Sequence, residues 1–441
     1  MTIKTYKEIM TYIREVIDGS VFAGHVFAVG GCERDKRLKH SIKDVDLVVD
    51  IPNGGIMFAN WLYENNLTLW APVVYEHFGT AMFCLRRFPE IELETVQTRK
   101  EAYRDIETRN PETAFGTIMD DCTRRDFTVN AFYYDISNDK ELDLNGMSER
   151  DLDDKIIRTC GDPEIIFNED PLRILRMVRF AARLDFNIEE KTFECAKKYV
   201  DRLSIISRER IYEEFKKMIT TGDYFKTQDA ICTIWDIGAF KYVLPHLHTM
   251  RMLDRMHLLN RIGRTCQHYP PKFEEIMAAI MCGCDDAENE LRGLKMSNDE
   301  IDEIMFYLKE NKILSSVLDY EDGDYSHIVR RVMNDCGTDR RFLTATIIGS
   351  PELYHEFHTV CEDGFDGYTS LYNSIIEREK EYFTYKLPVD GNDVMEVLGI
   401  GPSKEVKEAL DRLWMFAFIN PEYTDRKNLM NYLKEVIKND K

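Results

Sequence analysis

The stretch VGGCERDKRLKHSIKDVDLVVD, residues 29–50, decides the reading of this chain. It begins where VFAVGG (26–31) reads as an apolar strand ending in a Gly30-Gly31 turn, and closes on DLVVDI (46–51), a second strand. Alternate residues of a strand share a face, so Asp44 and Asp46 project together at the start of the second strand. Two carboxylates on one face make a hard oxygen site of the kind Mg2+ occupies jointly with substrate phosphates. Two metal ions there could clamp the attacking and leaving oxygens of a phosphoryl transfer. Gly30 and Gly31 let backbone N–H groups come close to a triphosphate. The plain alternative is an acidic turn leading into a strand. D-x-D alone does not decide between the two, and the glycine pair upstream strengthens the case for catalysis.

Working outward, residues 6–17 and 53–65 read as helices, and TAMFCL (80–85) and IELETVQT (91–98) as strands. FTVNAFYYDI (127–136) fits either helix or strand, and ELDLNG (141–146) is a short strand running into a turn. Beyond about residue 150 strand signals nearly vanish. PLRILRMVRFAARL (171–184) has helical spacing with Pro171 suited to the first turn, and RERIYEEFKKMI (208–219) is a second amphipathic helix. The pattern loosens over 362–390, and segments 404–419 and 426–438 close the chain as helices.

Two further groups of residues bear on chemistry. In RRDFTVNA (124–131) the adjacent Arg124 and Arg125 cannot share one face, so each is expected to serve a different partner; their planar forks suit phosphate, a solvated charge cluster being the alternative. In EDPLRILRMVR (169–179), Asp170, Arg173, Arg176 and Arg179 recur every third residue on an expected helix and form a stripe along one side. One acceptor followed by donors at one-turn spacing could read a base edge and then grip phosphates; a surface ion pair of Asp170 with Arg173 is the alternative.

The length of 441 residues implies roughly two to four domains, and 44% apolar with 31% charged residues fits a globular chain. No secretory signal is recognisable, and no apolar run approaches the ~20 residues of a membrane helix. The 11 dispersed cysteines read as reduced thiols of a cytoplasmic protein, and Cys282 with Cys284 has no second pair to complete a zinc site. A net charge of −21 disfavours nucleic-acid binding taken alone. The basic groups at Arg124–Arg125, Arg173–Arg179 and Lys216–Lys217 are expected to form local basic surfaces on an acidic body.

These motifs, in this order, resemble class II tRNA nucleotidyltransferases, the CCA-adding enzymes, and their bacterial poly(A) polymerase relatives. The family's G-G-x-V-R-D motif is similar to Gly30–Asp35, its D-x-D to Asp44 and Asp46, its R-R-D to Arg124, Arg125 and Asp126, and its E-D-x-x-R to Glu169, Asp170 and Arg173. TRKEAYRDIETRNPETAFGT (98–117) resembles the flexible loop of CCA-adding members. The likeness is strong over residues 25–220 and weak beyond. It implies an α+β fold: a polymerase-β-like head with a small mixed sheet (1–145), then an all-helical neck (146–222), body (223–370) and tail (371–441). It implies CCA addition to tRNA from CTP and ATP, with pyrophosphate released, two Mg2+ ions on Asp44 and Asp46, and no obligate protein partner. Gly30, Gly31, Arg34, Arg124, Arg125, Asp170, Arg173, Arg176 and Arg179 would bind the nucleotide.

Poly(A), CC-only or A-only addition stays open, as does a catalytically weak RNA-binding relative. Two departures bear on this. Glu33 stands where the family usually has Val, and KRLKH (36–40) replaces an apolar run, so a carboxylate is expected beside the triphosphate site. The chain also has no His-Asp dipeptide, so the metal phosphohydrolase activity of many relatives is not expected.

Overall fold

The computed structural model describes residues 1–102, 112–221, 223–268 and 271–315, isolated positions between 332 and 348, and most of 387–413 and 425–434. The chain divides into two compact units, Met1–Thr249 and Met250–Lys441.

The first unit opens with α1 (Ile3–Ile17), whose Thr2 cap accepts from the Thr5 amide and whose Tyr6, Ile9, Met10, Ile13 and Ile17 form one buried stripe at helical spacing. Strands β1 (Val26–Val29), β2 (Val45–Val49), β3 (Val73–Tyr75), β4 (Thr80–Cys84) and β5 (Glu92–Gln97) follow, with α2 (Gly31–Arg37) and α3 (Gly54–Glu64) between them. Next come β6 (Arg99–Ala102), β7 (Glu112–Phe115), α4 (Ile118–Thr123), β8 (Phe132–Asp135) and β9 (Lys140–Asp143). Seven strands join in the order β3-β4-β5-β2-β1-β8-β9, while β6 and β7 pair apart. β2 runs parallel to β5 and antiparallel to β1, so the sheet is mixed, as expected. The segment 127–136 resolves into a 3-10 turn over Thr128–Asn130 followed by β8.

The period-two pattern sorts the central strands onto two faces. Val26, Ala28, Val45, Leu47 and Val49 pack with α1 and α3. Phe27, Val29 and Val48 pack on the other side with Cys122, Ala131 and Tyr133. α3 lies close on the sheet because Gly55 has no side chain; a Cβ there would stand 2.6 Å from Val96 Cα.

Beyond the sheet the unit is mainly helical: α5 (Ser148–Asp153), α6 (Pro163–Glu169), α7 (Leu172–Leu184), α8 (Glu190–Tyr199), α9 (Arg208–Ile219) and α10 (Tyr224–Asp236). A two-residue parallel pair, Ile156–Ile157 with Asn187–Ile188, is the exception, too short to leave a period-two signal. The second unit is helical where described. Its helices include Met252–His268, Phe273–Met281, Asn298–Ser315, Gly391–Leu398 and Arg426–Tyr432, and Val389, Val394, Val406, Leu413 and Leu429 share a core there. Much of the expected helix 404–419, nearly all of 362–390 and the centre of 98–117 lie outside the described residues. No helix among the described residues is long and apolar enough to cross a membrane.

Candidate active site

The strand β1 ends at Gly30, which takes φ +79° before α2 begins. That region of φ is open to glycine and costly for other residues. A Cβ at Gly30 would lie 3.4 Å from Arg125 Nη1 and 3.7 Å from Asp46 Oδ2. Three segments far apart in sequence, the glycine turn, D-x-D and R-R-D, thus converge on one point of the sheet's second face.

Asp46 sits in β2 with Asp44 just before the strand. In the parallel register Asp46 is the partner of Glu94 on β5. Burial and the Glu94 carboxylate push Asp46 up to about 6, with Arg125 opposing and Asp44 adding to the rise. Glu94 is itself raised, chiefly by burial, with Arg99 opposing and Asp44 and Glu92 adding. Asp46 and Glu94 stay raised although Arg125 and Arg99 oppose the rise, and with Asp44 they offer hard carboxylate oxygens that fit a divalent cation such as Mg2+. Glu94 was missed in the sequence because a parallel register between distant strands is not written in either strand.

Arg124 and Arg125 follow α4 and, contrary to expectation, share one partner. Arg124 Nε and Nη2 donate to Asp121 Oδ1 at 3.1 and 2.5 Å; Arg125 Nε and Nη2 donate to Asp121 Oδ2 at 3.2 and 3.1 Å. The helical turn brings positions i+3 and i+4 over the same residue, and a carboxylate has two oxygens to offer. The Tyr133 hydroxyl donates to the same carboxylate at 2.7 Å. Burial alone would raise Asp121; the Arg125 and Arg124 guanidiniums and that hydroxyl outweigh it and hold the carboxyl at about 2. Arg34 is buried, donating to Asp35 at 2.7–2.9 Å and to Asn130 Oδ1.

The stripe expected from Asp170 to Arg179 is broken at its first member. Asp170 precedes Pro171, which disfavours helical backbone before it. Asp170 accordingly takes φ −133° and ψ 96° in the link between α6 and α7. Its carboxylate accepts from the Leu172 amide at 3.2 Å and from Arg210 Nη2 of α9 at 3.0 Å. Arg173, 8% exposed, donates instead to Arg124 O, Ile166 O and Glu169 Oε2 at 2.9–3.3 Å. Arg176 grips Asp126 Oδ2 at 2.9 and 2.6 Å, and Arg179 donates to Glu214 of α9 at 2.6 Å. Burial, opposed by Arg176 and by the Arg176 and Asn130 hydrogen bonds, leaves Asp126 at about 2. The basic groups at 124–125 and 173–179 therefore do not form open basic surfaces; charge counted along a sequence does not show which carboxylates fold against it.

Glu33 is likewise not beside the glycine turn's open side. It is fully buried, accepting from the Tyr6 hydroxyl at 2.5 Å, Lys36 Nζ at 2.7 Å and Arg37 Nη1 at 2.9 Å. Lys36 and Arg37 continue to Glu141 on β9 at 2.8 and 2.9 Å. The two departures in sequence are thus one feature: the basic run supplies the donors that the buried carboxylate requires.

A glycine turn, a carboxylate triad and clamped arginines on a mixed sheet with a helical extension define a nucleotidyltransferase. The sequence matches a family model described as "Poly A polymerase head domain" over residues 26–158 and one described as "Probable RNA and SrmB- binding site of polymerase A" over 185–260. Over these two segments the chain is similar to poly(A) polymerases. It is similar to the CCA-adding enzyme of Streptococcus thermophilus, 37% identical over 45% of this chain and 47% of that one. It is also similar to tRNA nucleotidyltransferase cca2 of Schizosaccharomyces pombe, 24% identical over 89% of each. The crystal structure of the Bacillus stearothermophilus CCA-adding enzyme in complex with CTP shares the fold, with a TM-score of 0.69 at 21% identity over 99% of this chain and 98% of that one.

Proposed function

We propose that this chain adds C and A nucleotides from CTP and ATP to the 3′ end of tRNA, without a nucleic-acid template, and releases pyrophosphate. The convergence of Gly30, Asp46 and Arg125 carries the reading. The head (1–145) performs the transfer, the neck (146–222) reads the base, and body (223–370) and tail (371–441) hold the tRNA. The ten described cysteines are free thiols, which suits a reducing, cytoplasmic setting.

Asp44, Asp46 and Glu94 would hold Mg2+, two ions in this reading. Bound there, the metal would acidify the RNA 3′-hydroxyl and offset charge on the leaving pyrophosphate. The hydroxyl oxygen bonds to the α-phosphorus as the bond to pyrophosphate breaks. Gly30 and Gly31 admit the triphosphate close to backbone, and Arg34, Arg124 and Arg125 present N–H groups held in place by Asp35 and Asp121. Positioning and electrostatics supply most of the acceleration in such transfers.

Base choice rests on Asp170 and Arg173. Cytosine and adenine each offer an amino donor beside a ring acceptor; uracil and guanine offer a carbonyl beside an N–H. A carboxylate next to a guanidinium matches the first pair and leaves buried groups unpaired against the second, at about 1–3 kcal/mol each. Three acceptors fix Arg173 and use three of its N–H groups, which leaves two for a base. Arg176 and Arg179, tied to Asp126 and Glu214, brace the same helix.

The test is incubation with Mg2+, tRNA lacking its 3′ end and labelled CTP or ATP. Restoration of CCA is the expected result. A long A tract, C alone or A alone would reassign the chain within the family, and no incorporation would leave an RNA-binding relative. Asp170→Ala and Arg173→Ala, assayed with all four nucleotides, should lose the preference for CTP and ATP.

A further inference from the structure

The two guanidiniums that follow Asp170 on α7, Arg173 and Arg176, have carboxylate or carbonyl partners. Arg173 is held by Glu169 and two backbone carbonyls, and Arg176 by Asp126 with Glu214 at 3.9 Å. The carboxylate of Asp170 needs fixing as much as Arg173 does, because a rotated carboxylate no longer meets an amino group in the plane of the base. One oxygen is fixed by the Leu172 amide. The other is reached by Arg210 from the neighbouring helix α9. That helix is tied to α7 by the Arg179–Glu214 ion pair. Arg208, two residues earlier, donates to Tyr242 O and Val243 O, and Glu214, four residues later, receives Arg179.

We infer that Arg210 is a positioning residue for nucleotide choice: it holds the Asp170 carboxylate in the orientation that accepts from the amino groups of cytosine and adenine. The inference rests on the base-reading role proposed above for Asp170. Arg210 does for Asp170 what Glu169 and the two carbonyls do for Arg173. Each carboxylate oxygen can accept more than one hydrogen bond, so the oxygen bonded to Arg210 keeps capacity for a base amino group. Arg210 therefore stays in place during the reaction and does not compete with the nucleotide. A surface ion pair with no task would contribute little to anything measured. The proposal differs in requiring that the pair act on selectivity and on nothing else.

The experiment compares Arg210→Ala, Arg210→Lys, Asp170→Asn and the double variant Asp170→Asn/Arg210→Ala in the full chain, measuring kcat/KM with CTP, ATP, UTP and GTP alongside Tm. Arg210→Ala should keep its Tm and lower the CTP-over-UTP preference about fivefold, the scale of one charge-assisted hydrogen bond at a half-exposed position. Arg210→Lys should recover part of it. In the Asp170→Asn background the same change should add less than about twofold, since Arg210 acts only through Asp170. Wild-type selectivity in Arg210→Ala, with selectivity lost in Asp170→Asn, would overturn this inference and leave the base-reading role standing. Multiplying effects in the double variant would overturn it too. Wild-type selectivity in Asp170→Asn would remove the base-reading role and the inference together.

Discussion

Replacing Glu33 by valine, the residue usual in the family, should destabilise this chain. The side chain is fully buried and accepts from Tyr6, Lys36 and Arg37. Valine would leave the Tyr6 hydroxyl, 1% exposed, with only the weak Cys32 Sγ contact at 3.8 Å. An orphaned buried hydroxyl costs about 1–3 kcal/mol. Removing one partner of a buried ion pair costs about 3–5 kcal/mol, reduced here because Lys36 and Arg37 keep Glu141. The apolar burial of valine returns roughly 1.5 kcal/mol. The net expectation is a loss of about 3 kcal/mol, or about 6–12 °C in the Tm of a unit of this size. Calorimetry or circular dichroism on Glu33→Val and wild type reads it directly. Adding Tyr6→Phe and Lys36→Leu to Glu33→Val should recover most of the loss, because apolar replacement of a whole buried ionic group is often neutral. Equal or higher Tm in Glu33→Val alone would refute the reasoning and mean that the carboxylate is not bound by these donors.

The carboxylates of the site give the next expectation: Asp44→Asn and Asp46→Asn should each lower nucleotide addition by about a hundredfold or more at saturating Mg2+ with Tm retained, and near-normal turnover would remove either from the mechanism. Acid stability follows from Asp121 and Asp126, both held at about 2. Their folded values lie below the unfolded ones, so each contributes about 2 kcal/mol above about pH 4 that is lost as pH falls through 2. Urea midpoints measured from pH 6 to 2 should therefore fall less steeply for Asp126→Asn than for wild type, and parallel curves would contradict the assignment. Release of phosphate from 2′,3′-cyclic phosphates or phosphomonoesters is not expected with any supplied transition metal, because no His-Asp pair occurs in the chain; turnover would show a second site.

What the sequence made legible is local. The alternation of β2 put Asp46 on the face opposite Leu47, and the glycine pair marked the turn at φ +79°. The boundaries of α3 and α9 fell within two residues of those expected. What it hid is through-space. Glu94 joins Asp46 only through a parallel pairing across more than forty residues. Asp121 could have been found, since it stands one helical turn before two arginines. Asp170 stands off the helical stripe because the residue before Pro171 avoids helical backbone, a signal that is written in the sequence.

The hidden partners also resolve the tension between an acidic chain and a polyanionic substrate. A chain with 79 acidic against 58 basic residues gives no general attraction for RNA. Yet the arginines of the R-R-D and E-D-x-x-R segments are each bound to carboxylates, which fix them in place. A guanidinium held by Asp121 or Glu169 is fixed by its partner yet keeps the N–H groups that the partner does not use. Such a group meets a phosphate oxygen or a base edge in one fixed geometry and does not bind a misplaced one at a distance. Preorganised donors of this kind discriminate by unpaired hydrogen bonds, where a bare cationic surface would attract every nucleotide alike. Under the proposed function, the ion pairs that stabilise the fold through Asp121 and Asp126 also fix the guanidiniums used in nucleotide choice.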